Sequence, residues 1–314
     1  MDEMLKSKKD YKIMQNIIEN ARIPLTILAK RTGMSREVVQ YRLKRLEENL
    51  IINYQARINL RFFADAIYTI YLNMKGVERT KTISKLRSLP LVHWIGNSGG
   101  RWNYVLTFSV TKENDLENFV NKLFSSFGNK ITHWTFTQHI KEFKDTFGSL
   151  FGVKEFRISE KNIEKKYLDK MDIRILRELT KNARLSNLQI AIKIGTTRET
   201  VRKRIKRLEK EDVILNYRTM IRPSALDLEN YALAIKCMTT NTKELEKICD
   251  YFSRVEGCSY GCITAGEINM LVTLSVKNLK ELDFIITKAQ KDFILIREIE
   301  PLPLFEIGSQ NYVF

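Results

Sequence analysis

Residues 182–209 read NARLSNLQIAIKIGTTRETVRKRIKRLE, and residues 20–47 read NARIPLTILAKRTGMSREVVQYRLKRLE. At a constant offset of 162, the wider segment 10–47 matches its second copy at fifteen identical positions. This many identities in one ungapped segment indicate a duplicated domain, because the period is far longer than that of a solenoid repeat. The similarity continues more weakly between residues 100–110 and 266–276. Each half therefore combines a small N-terminal unit with a larger C-terminal unit.

Each small unit has the pattern of three helices with a tight turn between the last two. Apolar Ile13 and Ile17 lie four residues apart and mark the first helix. Gly33 supplies the turn, and Ser35 caps a third helix over residues 35–47. The second copy repeats the pattern with Gly195, the cap Thr197 and a third helix over residues 197–209. The pattern predicts a helix-turn-helix in each half.

The segments that follow the third helices have the alternation of β-strands. They read LIINYQARIN (50–59) and VILNYRTMIR (213–222), and each is expected to form a β-ribbon of the kind that makes a wing. The larger unit of each half then predicts strand, helix, strand, strand, helix, strand, which is the ferredoxin-like βαββαβ order. Such a sheet carries helices on one face only, so we expect the second copy's sheet to cover the open face of the first.

The chain is therefore predicted to be an α+β protein built by internal duplication. The predicted domains are a winged helix-turn-helix at 1–60, a ferredoxin-like domain at 61–153, a connector at 154–167, a second winged helix-turn-helix at 168–222, and a second ferredoxin-like domain at 223–314.

The charge balance predicts a polyanionic partner. The 314 residues contain 53 Lys and Arg against 37 Asp and Glu, a formal net charge of +16. The excess is greatest at the second helix-turn-helix, where residues 165–222 hold 17 basic and 7 acidic residues, a net of +10. Residues 223–314 have a net of −4, from 9 basic and 13 acidic residues. Double-stranded DNA at the third helices is the partner that this distribution favours.

The outward positions of the two third helices are the candidate DNA-binding residues. A charged helix face is often merely solvated, but here the helix-turn-helix pattern, the repeat and the net charge agree. Arg36 and Arg198 lie at the helix N-termini, which enter the major groove first. The candidates are Ser35, Arg36, Gln40, Tyr41 and Lys44 in the first copy, and Thr197, Arg198, Thr200, Arg202, Lys203 and Lys206 in the second.

The cysteines and histidines do not show the spacing of a catalytic site or a metal site. The four cysteines, Cys237, Cys249, Cys258 and Cys262, lack the paired close spacing of a zinc site, and we expect reduced thiols packed as small apolar groups. Because the three histidines show no catalytic partner set, we expect no catalytic residues, no metal and no cofactor. With no apolar run of membrane-spanning length, a cytoplasmic, nucleoid-associated location is expected.

Residues 168–214, LDKMDIRILRELTKNARLSNLQIAIKIGTTRETVRKRIKRLEKEDVI, closely resemble the DNA-binding domain of the leucine-responsive regulatory protein and AsnC group, the feast/famine regulators. Residues 10–51 are similar but more divergent, and the larger units are similar to that family's effector-binding, oligomerising domain. The resemblance implies a sequence-specific transcriptional regulator. The chain departs from the family in carrying two copies of each domain.

The resemblance also implies an effector site in the crevice between the two larger units. The expected residues are Ser98, Gly100 and Asn103 in the first half, and Thr264, Gly266 and Asn269 in the second. The family usually has an acidic residue at the position of Asn103 and Asn269. An effector's ammonium group would lose its charged partner there, so simple amino acids are expected to bind poorly.

Two other functions remain open from the sequence. The first is a tetrapyrrole enzyme, because paired proteins of the same layout decarboxylate sirohaem, and a pocket with His93 and Arg101 would suit a polycarboxylate. The second is nonspecific coating of chromatin. The assembly also stays open between a homodimer of chains and an intramolecular pseudo-dimer, in which one chain stacks its own two sheets.

Overall fold

The computed structural model describes residues 7–112, 114–153 and 168–306. The first half contains α1 (Lys8–Glu19), α2 (Leu25–Thr32), α3 (Arg36–Asn49), β1 (Ile51–Ile58), β2 (Ala66–Met74), α4 (Arg79–Arg87), β3 (Val92–Ser98), β4 (Tyr104–Val110), α5 (Asp115–Phe127) and β5 (Ile131–Asp145). The second half repeats this order with α6 (Lys170–Lys181), α7 (Asn187–Ile194), α8 (Arg198–Lys210), β6 (Ile214–Ile221), β7 (Glu229–Cys237), α9 (Thr242–Arg254), β8 (Cys258–Gly266), β9 (Met270–Val276), α10 (Leu279–Asp292) and β10 (Ile296–Glu306). The predicted connector at 154–167 lies outside the described residues.

The helix-turn-helix of each half forms as the sequence predicts. Helix α2 ends at Gly33 with φ of 69°, and α7 ends at Gly195 with φ of 66°, a left-handed conformation that glycine adopts without strain. The Ser35 hydroxyl accepts a hydrogen bond from the Val38 N–H, and that of Thr197 accepts one from Thr200. Both third helices therefore begin at a side-chain cap. We call α1–α3 the first head and α6–α8 the second head.

The strands after the heads pair differently from the prediction. Instead of a separate β-ribbon in each half, β1 pairs with β6 in antiparallel register from Ile51↔Ile221 to Ile58↔Ile214. Each half supplies only one strand, because β2 begins at Ala66 and the short segment between β1 and β2 cannot hold a return strand. The resulting β1–β6 ribbon joins the two halves.

Each larger unit forms the predicted ferredoxin-like sheet. The strand order is β3-β4-β2-β5 in the first half and β8-β9-β7-β10 in the second. Apolar residues of α4 and α5, including Leu86 and Phe119, pack on one face of the first sheet. Leu245 of α9 and Leu282 of α10 do the same in the second half. The α+β class and the duplicated architecture are thus confirmed.

The two sheets close into one eight-stranded barrel. Strand β5 pairs with β8, and β10 pairs with β3, so the sheets share hydrogen bonds at both edges and also pack face to face. The core between them includes Tyr71, Trp102, Ala232, Ile268 and Leu302, drawn from both halves. The open face of each sheet is therefore covered by the other sheet of the same chain, as expected.

The cysteines are free thiols. Cys249, Cys258 and Cys262 are buried and Cys237 is half-buried. Burial raises the pKa of the Cys237 thiol to about 11, so this thiol stays protonated at neutral pH. Among the described residues, no group of three or more His, Cys, Asp or Glu is placed to hold a metal ion.

Candidate nucleic-acid interface

A buried carboxylate fixes the third helix of each head against the first. Asp10 of α1 is fully buried and accepts hydrogen bonds from Arg42 at 3.0 Å and Arg45 at 2.6 Å. In the second head, Asp172 does the same with Arg204 at 2.8 Å and Arg207 at 2.5 Å. Because these arginines bind a carboxylate inside the head, the repeated arginines at these positions orient the helix. The sequence showed them only as identities between the copies.

The candidate residues of the first head lie together on the exposed face of α3. Val39, Leu43 and Leu46 are buried against the head, and the opposite face carries the residues predicted to read DNA. The tyrosine of this face, Tyr41, is 70% exposed. The structure brings together, all exposed, Ser35, Arg36, Gln40, Tyr41 and Lys44.

The candidate residues of the second head also lie on the outer face of their helix, α8, and more of them carry a positive charge. Arg198, Arg202, Lys203 and Lys206 are exposed together with Thr197, and Thr200 is partly exposed. Arg202 makes an ion pair with Glu199 at 2.5 Å on the helix surface. The hydrogen bond from Arg202 is the main cause that lowers the pKa of the Glu199 carboxyl. Arg202 must therefore leave or share Glu199 when it contacts an anion.

The two heads contact each other around a pseudo-two-fold axis. The Arg22 guanidinium donates to the Ala183 carbonyl at 2.7 Å and lies over the Tyr217 ring, 5.2 Å from its centroid. The equivalent contacts are Arg184 to the Ala21 carbonyl at 2.9 Å and Arg184 over the Tyr54 ring at 5.1 Å. Burial is the main cause that raises the pKa of both tyrosines, and each hydroxyl donates to a glutamate, Glu47 or Glu209. These contacts hold α3 and α8 in one fixed relation.

Charged side chains also tie the β1–β6 ribbon to the barrel. Arg57 of β1 binds both Glu142 and Asp145 of β5, the latter at 2.8 Å. Arg218 of β6 binds Asp145 at 2.5 Å, and its guanidinium also donates to Gln55 at 3.3 Å. Two cations and two carboxylates thus neutralise one another at this junction. The heads are therefore anchored to the barrel by buried, directional contacts.

The effector residues predicted in the first half lie at the turn between β3 and β4, and their side chains bind the backbone. Ser98 is buried and donates to the Trp102 carbonyl. The Asn103 amide donates to the Met74 carbonyl at 2.7 Å and accepts from the Met74 N–H at 2.9 Å. Gly100 has a φ of 85°, which the turn requires. The side chains at this turn stabilise the hairpin.

At the turn between β8 and β9 in the second half, the polar side chains again form hydrogen bonds with the backbone. Thr264 donates to the Ile268 carbonyl at 2.6 Å, and Asn269 accepts from the Cys237 N–H at 2.7 Å. The intervening Ile268, like Trp102 in the first half, packs in the core between the sheets. Gly266 adopts a φ of 143° where a Cβ would meet the Phe136 carbonyl at 3.0 Å. The asparagines therefore fix the neighbouring strand in both halves.

The two residues considered for a tetrapyrrole pocket are not brought together. His93 lies near the start of β3, whereas Arg101 follows the end of that strand and lies over the Trp102 ring at 4.7 Å. From His93 to Ser98 alone, an extended strand spans about 17 Å. His93 lines a cavity of about 110 Å³ where the ribbon meets the barrel, at the other end from Arg101. Sequence reasoning missed this cavity, because strands that are distant in sequence form it.

Comparison with known proteins identifies the family. The family model of winged helix-turn-helix DNA-binding domains matches residues 6–49 and 168–214. The leucine-responsive regulatory protein of Haemophilus influenzae is 42% identical over 74 residues, 24% of this chain and 44% of that protein. An uncharacterized HTH-type transcriptional regulator of Pyrococcus horikoshii, PH0140, is 32% identical over 126 residues, 40% of this chain and 78% of that protein. The chain belongs to the leucine-responsive regulatory protein/AsnC family.

This family member has a tandem form, because the winged helix-turn-helix model matches it twice. The chain spans less than half the length of the Haemophilus influenzae relative. Among solved structures, the siroheme decarboxylase NirDL matches 97% of this chain and 93% of its own, with a TM-score of 0.63 and 13% identity. At that identity the likeness is one of fold, so the paired arrangement of heads and sheets recurs in NirDL.

Proposed function

We propose that this family member is a sequence-specific regulator of transcription that binds double-stranded DNA, with α3 and α8 in the major groove. The observation that carries the proposal is the pair of exposed, cation-bearing helix faces on heads that contact each other around a pseudo-two-fold axis. A pair of helix-turn-helix units reads half-sites about 34 Å apart or a multiple of that distance, because this spacing keeps both helices on one side of the duplex.

The proposed contacts divide between phosphates and base edges. Lysine and arginine at the candidate positions supply the phosphate contacts, which give affinity and salt dependence. Gln40 is suited to an adenine edge and Arg202 to a guanine edge. The two half-sites should therefore differ in sequence, and one chain should prefer an asymmetric site. Two chains related by a two-fold axis would read a palindrome only in a longer, four-unit site.

We propose no catalytic role for this chain and no resident cofactor. The tetrapyrrole alternative draws on the fold that is shared with NirDL. Against it, His93 and Arg101 lie at opposite ends of β3, and the cavity beside His93, at about 110 Å³, has room for about four water molecules. A tetrapyrrole is many times larger. Titration with sirohaem tests this alternative, since an enzyme of that class would shift the Soret band.

For the six predicted effector residues at the hairpin turns, we propose weak binding of simple amino acids. The amides of Asn103 and Asn269 are hydrogen-bonded to the backbone, and neither carries the negative charge that an ammonium group requires. Calorimetry with each of the twenty amino acids tests the proposal. Micromolar binding of an ordinary amino acid such as leucine would contradict it.

We propose a cytoplasmic, nucleoid-associated location, because DNA is the expected partner. In the described part of the chain, no helix is long and apolar enough to cross a membrane.

Selection of bound duplexes from random DNA, combined with the mass of the complex, tests the proposed function. We expect enrichment of one asymmetric site per chain. A lack of enrichment together with strong binding to every duplex would favour nonspecific coating of chromatin. A short perfect palindrome bound by one chain would show that the two helices read DNA equivalently, or that only one of them reads it.

A further inference from the structure

The helices that cover the outer faces of the two sheets differ in charge. Helix α4 (Arg79–Arg87) carries four basic residues and no acidic residue, whereas its counterpart α9 (Thr242–Arg254) carries three of each. Both helices bury apolar side chains against their sheets, among them Leu86 and Leu245. The difference in charge therefore lies on the exposed side. We call the four basic residues of α4 the α4 cations; all are exposed, and they are Arg79, Lys81, Lys85 and Arg87.

The α4 cations oppose the electrostatics of their own helix. Arg79 and Lys81 lie in the first turn, where the positive end of the helix dipole favours acidic residues, and this turn contains none. Lys81 and Lys85 are four residues apart, a spacing at which like charges repel each other. The carboxylate of the cap residue Glu78 accepts hydrogen bonds from the backbone N–H groups of Thr80 and Lys81, and it lies 4.0 Å from the Lys81 ammonium. An anion bound to this side of α4 would offset the remaining repulsion.

The α4 cations are spread along the helix rather than gathered around a pocket. The helix rises about 12 Å from the first of them to the last. The Arg79 guanidinium lies over the Phe305 ring, 4.9 Å from its centroid. The Lys85 ammonium donates to the Ser126 carbonyl of α5 at 2.7 Å, and Lys122, one turn before Ser126, adds another exposed cation. An extended polyanion fits this distribution, because a small anion needs cations that converge on one point.

The C-terminal end of α4 lies at the end of the first sheet where the ribbon enters. Strand β2 follows the ribbon closely, and its first residue, Ala66, pairs with Val110 of β4. The residue before Val110, Ser109, donates its N–H to the Leu91 carbonyl at 3.1 Å. Leu91 follows the last of the α4 cations, Arg87, by four residues. The α4 cations therefore extend from the side of the sheet on which the heads lie towards its far end.

We propose that the α4 cations, together with Lys122, bind the phosphate backbone of DNA that continues beyond the operator held by the heads. The inference rests on the proposed function and adds to it a second contact surface that reads no bases. A duplex carries one charge per about 1.7 Å of its axis, so about 12 Å of duplex holds about seven phosphates for these cations. Because the charges of α9 balance, the second half offers no equivalent surface. The additional contact should therefore occur on one flank of an asymmetric operator.

Three duplexes test the surface with the full chain. One holds the selected site alone, and the other two extend it by about 20 base pairs on one side or on the other, a length that can bend towards the barrel at a cost of a few kcal/mol. We expect the wild type to bind one of the extended duplexes about tenfold more tightly than the site alone, with a slope of log K against log[salt] that is steeper by about 3. The other extension should add little.

Two matched variants locate the contact. In the first, three of the α4 cations become glutamine, through Lys81→Gln, Lys85→Gln and Arg87→Gln. In the second, the three exposed basic residues of α9 do so, through Lys243→Gln, Lys247→Gln and Arg254→Gln. Both variants lose three charges, so an effect of overall charge alone would be equal in the two. On the favoured extended duplex the α4 variant should lose most of the tenfold gain, and its slope should become shallower by about 2.7, whereas the α9 variant should keep both.

Binding to the site alone shows that the heads of both variants are intact, and there the two should bind equally. If the α4 variant does not fold, Lys81→Gln alone, at a side chain that is 89% exposed, should make the slope on the extended duplex shallower by about 0.9.

Two results would overturn the surface while leaving the proposed function in place. One is equal binding of the wild type to all three duplexes, as expected if the α4 cations meet an acidic protein or a second copy of the chain instead. The other is an equal change in the α4 and α9 variants on the extended duplex. A wild-type chain that binds no duplex selectively would overturn the proposed function and this surface together, so the two failures are distinguishable.

Discussion

Helix α3 and helix α8 share the residues that hold them in place and differ in the residues that they expose. Both are fixed by a buried aspartate and two arginines, and an arginine of each head lies over a tyrosine on the ribbon strand of the other half. On the exposed faces, Gln40 and Tyr41 stand opposite Arg202 and Lys203. After duplication, the two heads have thus kept the contacts of the scaffold and diverged at the surface proposed to read DNA.

The shared scaffold can be broken at its buried aspartates. Asp10→Ala leaves Arg42 and Arg45 without their carboxylate and should lower the free energy of unfolding by about 3 kcal/mol, the low end for a broken buried pair because the arginines are partly exposed. Asp172→Ala should lower it by less, because Arg204 keeps its ion pair with Asp169 at 2.7 Å. Denaturant unfolding measures the change. Asp283→Ala, at an exposed position of α10, serves as the control. A change below 1 kcal/mol in both heads would contradict the role given to these aspartates.

Charge removal tests the difference between the exposed faces. Replacing Arg202, Lys203 and Lys206 with alanine removes three cations, whereas replacing Gln40, Tyr41 and Lys44 removes one. The slope of log K against log[salt] should be about −5 to −9 for the wild type, and should become shallower by about 2.7 in the first variant and about 0.9 in the second. The first variant should also lose more affinity, about 100-fold. A wild-type slope near zero would exclude DNA binding as the function.

Single substitutions sharpen the comparison at the level of base pairs. Gln40→Ala should relax discrimination at one position of one half-site by about 1–3 kcal/mol, and Arg202→Ala should do so in the other half-site. Competition between the selected site and duplexes with single base-pair changes measures both. If the two substitutions relaxed the same position, the assignment of one helix to each half-site would be wrong.

A smaller expected effect is a pH dependence of the free energy of unfolding that comes from only one side of the cavity. His139 has a lowered pKa of about 4, whereas its counterpart in the second half is Leu304, which does not titrate. A depressed folded-state pKa gives stability that is present above the unfolded value of about 6.5 and is lost as the pH falls towards 4. Between pH 7.5 and 5.5 the loss from this residue should be about 1 kcal/mol.

His139→Leu should remove that part of the pH dependence, and His133→Leu should keep it. Denaturant unfolding at the two pH values gives the comparison. Equal pH dependence in the wild type and His139→Leu would show that His139 is not buried in its neutral form.

Much of the fold follows from the sequence because local signals and the repeat agree. Helix capping and turn formation involve only near neighbours in the sequence, as at the caps Ser35 and Thr197 and the turn residues Gly33 and Gly195. The partner of β1 could not be predicted, because alternation identifies a strand but says nothing about which strand lies beside it. The sequence therefore predicts a ribbon within each half, whereas β1 pairs with β6 of the other half.

Some residues of the candidate sites could likewise be predicted from the sequence, and others could not. Residues on the exposed face of a helix follow from its period, so the faces of α3 and α8 could be assigned from the sequence. The hydrogen bonds of Asn103 and Asn269 to the backbone could not be predicted from the sequence, because their partners, Met74 and Cys237, lie about thirty residues away. The cavity depends on the register of eight strands, and the sequence alone does not encode that register in any local pattern.

Closure of the barrel within one polypeptide has a consequence for dosage. In a regulator assembled from separate subunits, the DNA-reading unit forms only when two chains associate, so operator occupancy at low concentration rises with the square of chain concentration. Here β5 meets β8 and β10 meets β3 inside one chain, and folding alone brings the two heads together. Occupancy of a two-half-site operator should then rise with the first power of concentration, so a cell that makes few copies would keep its operators bound in proportion to their number.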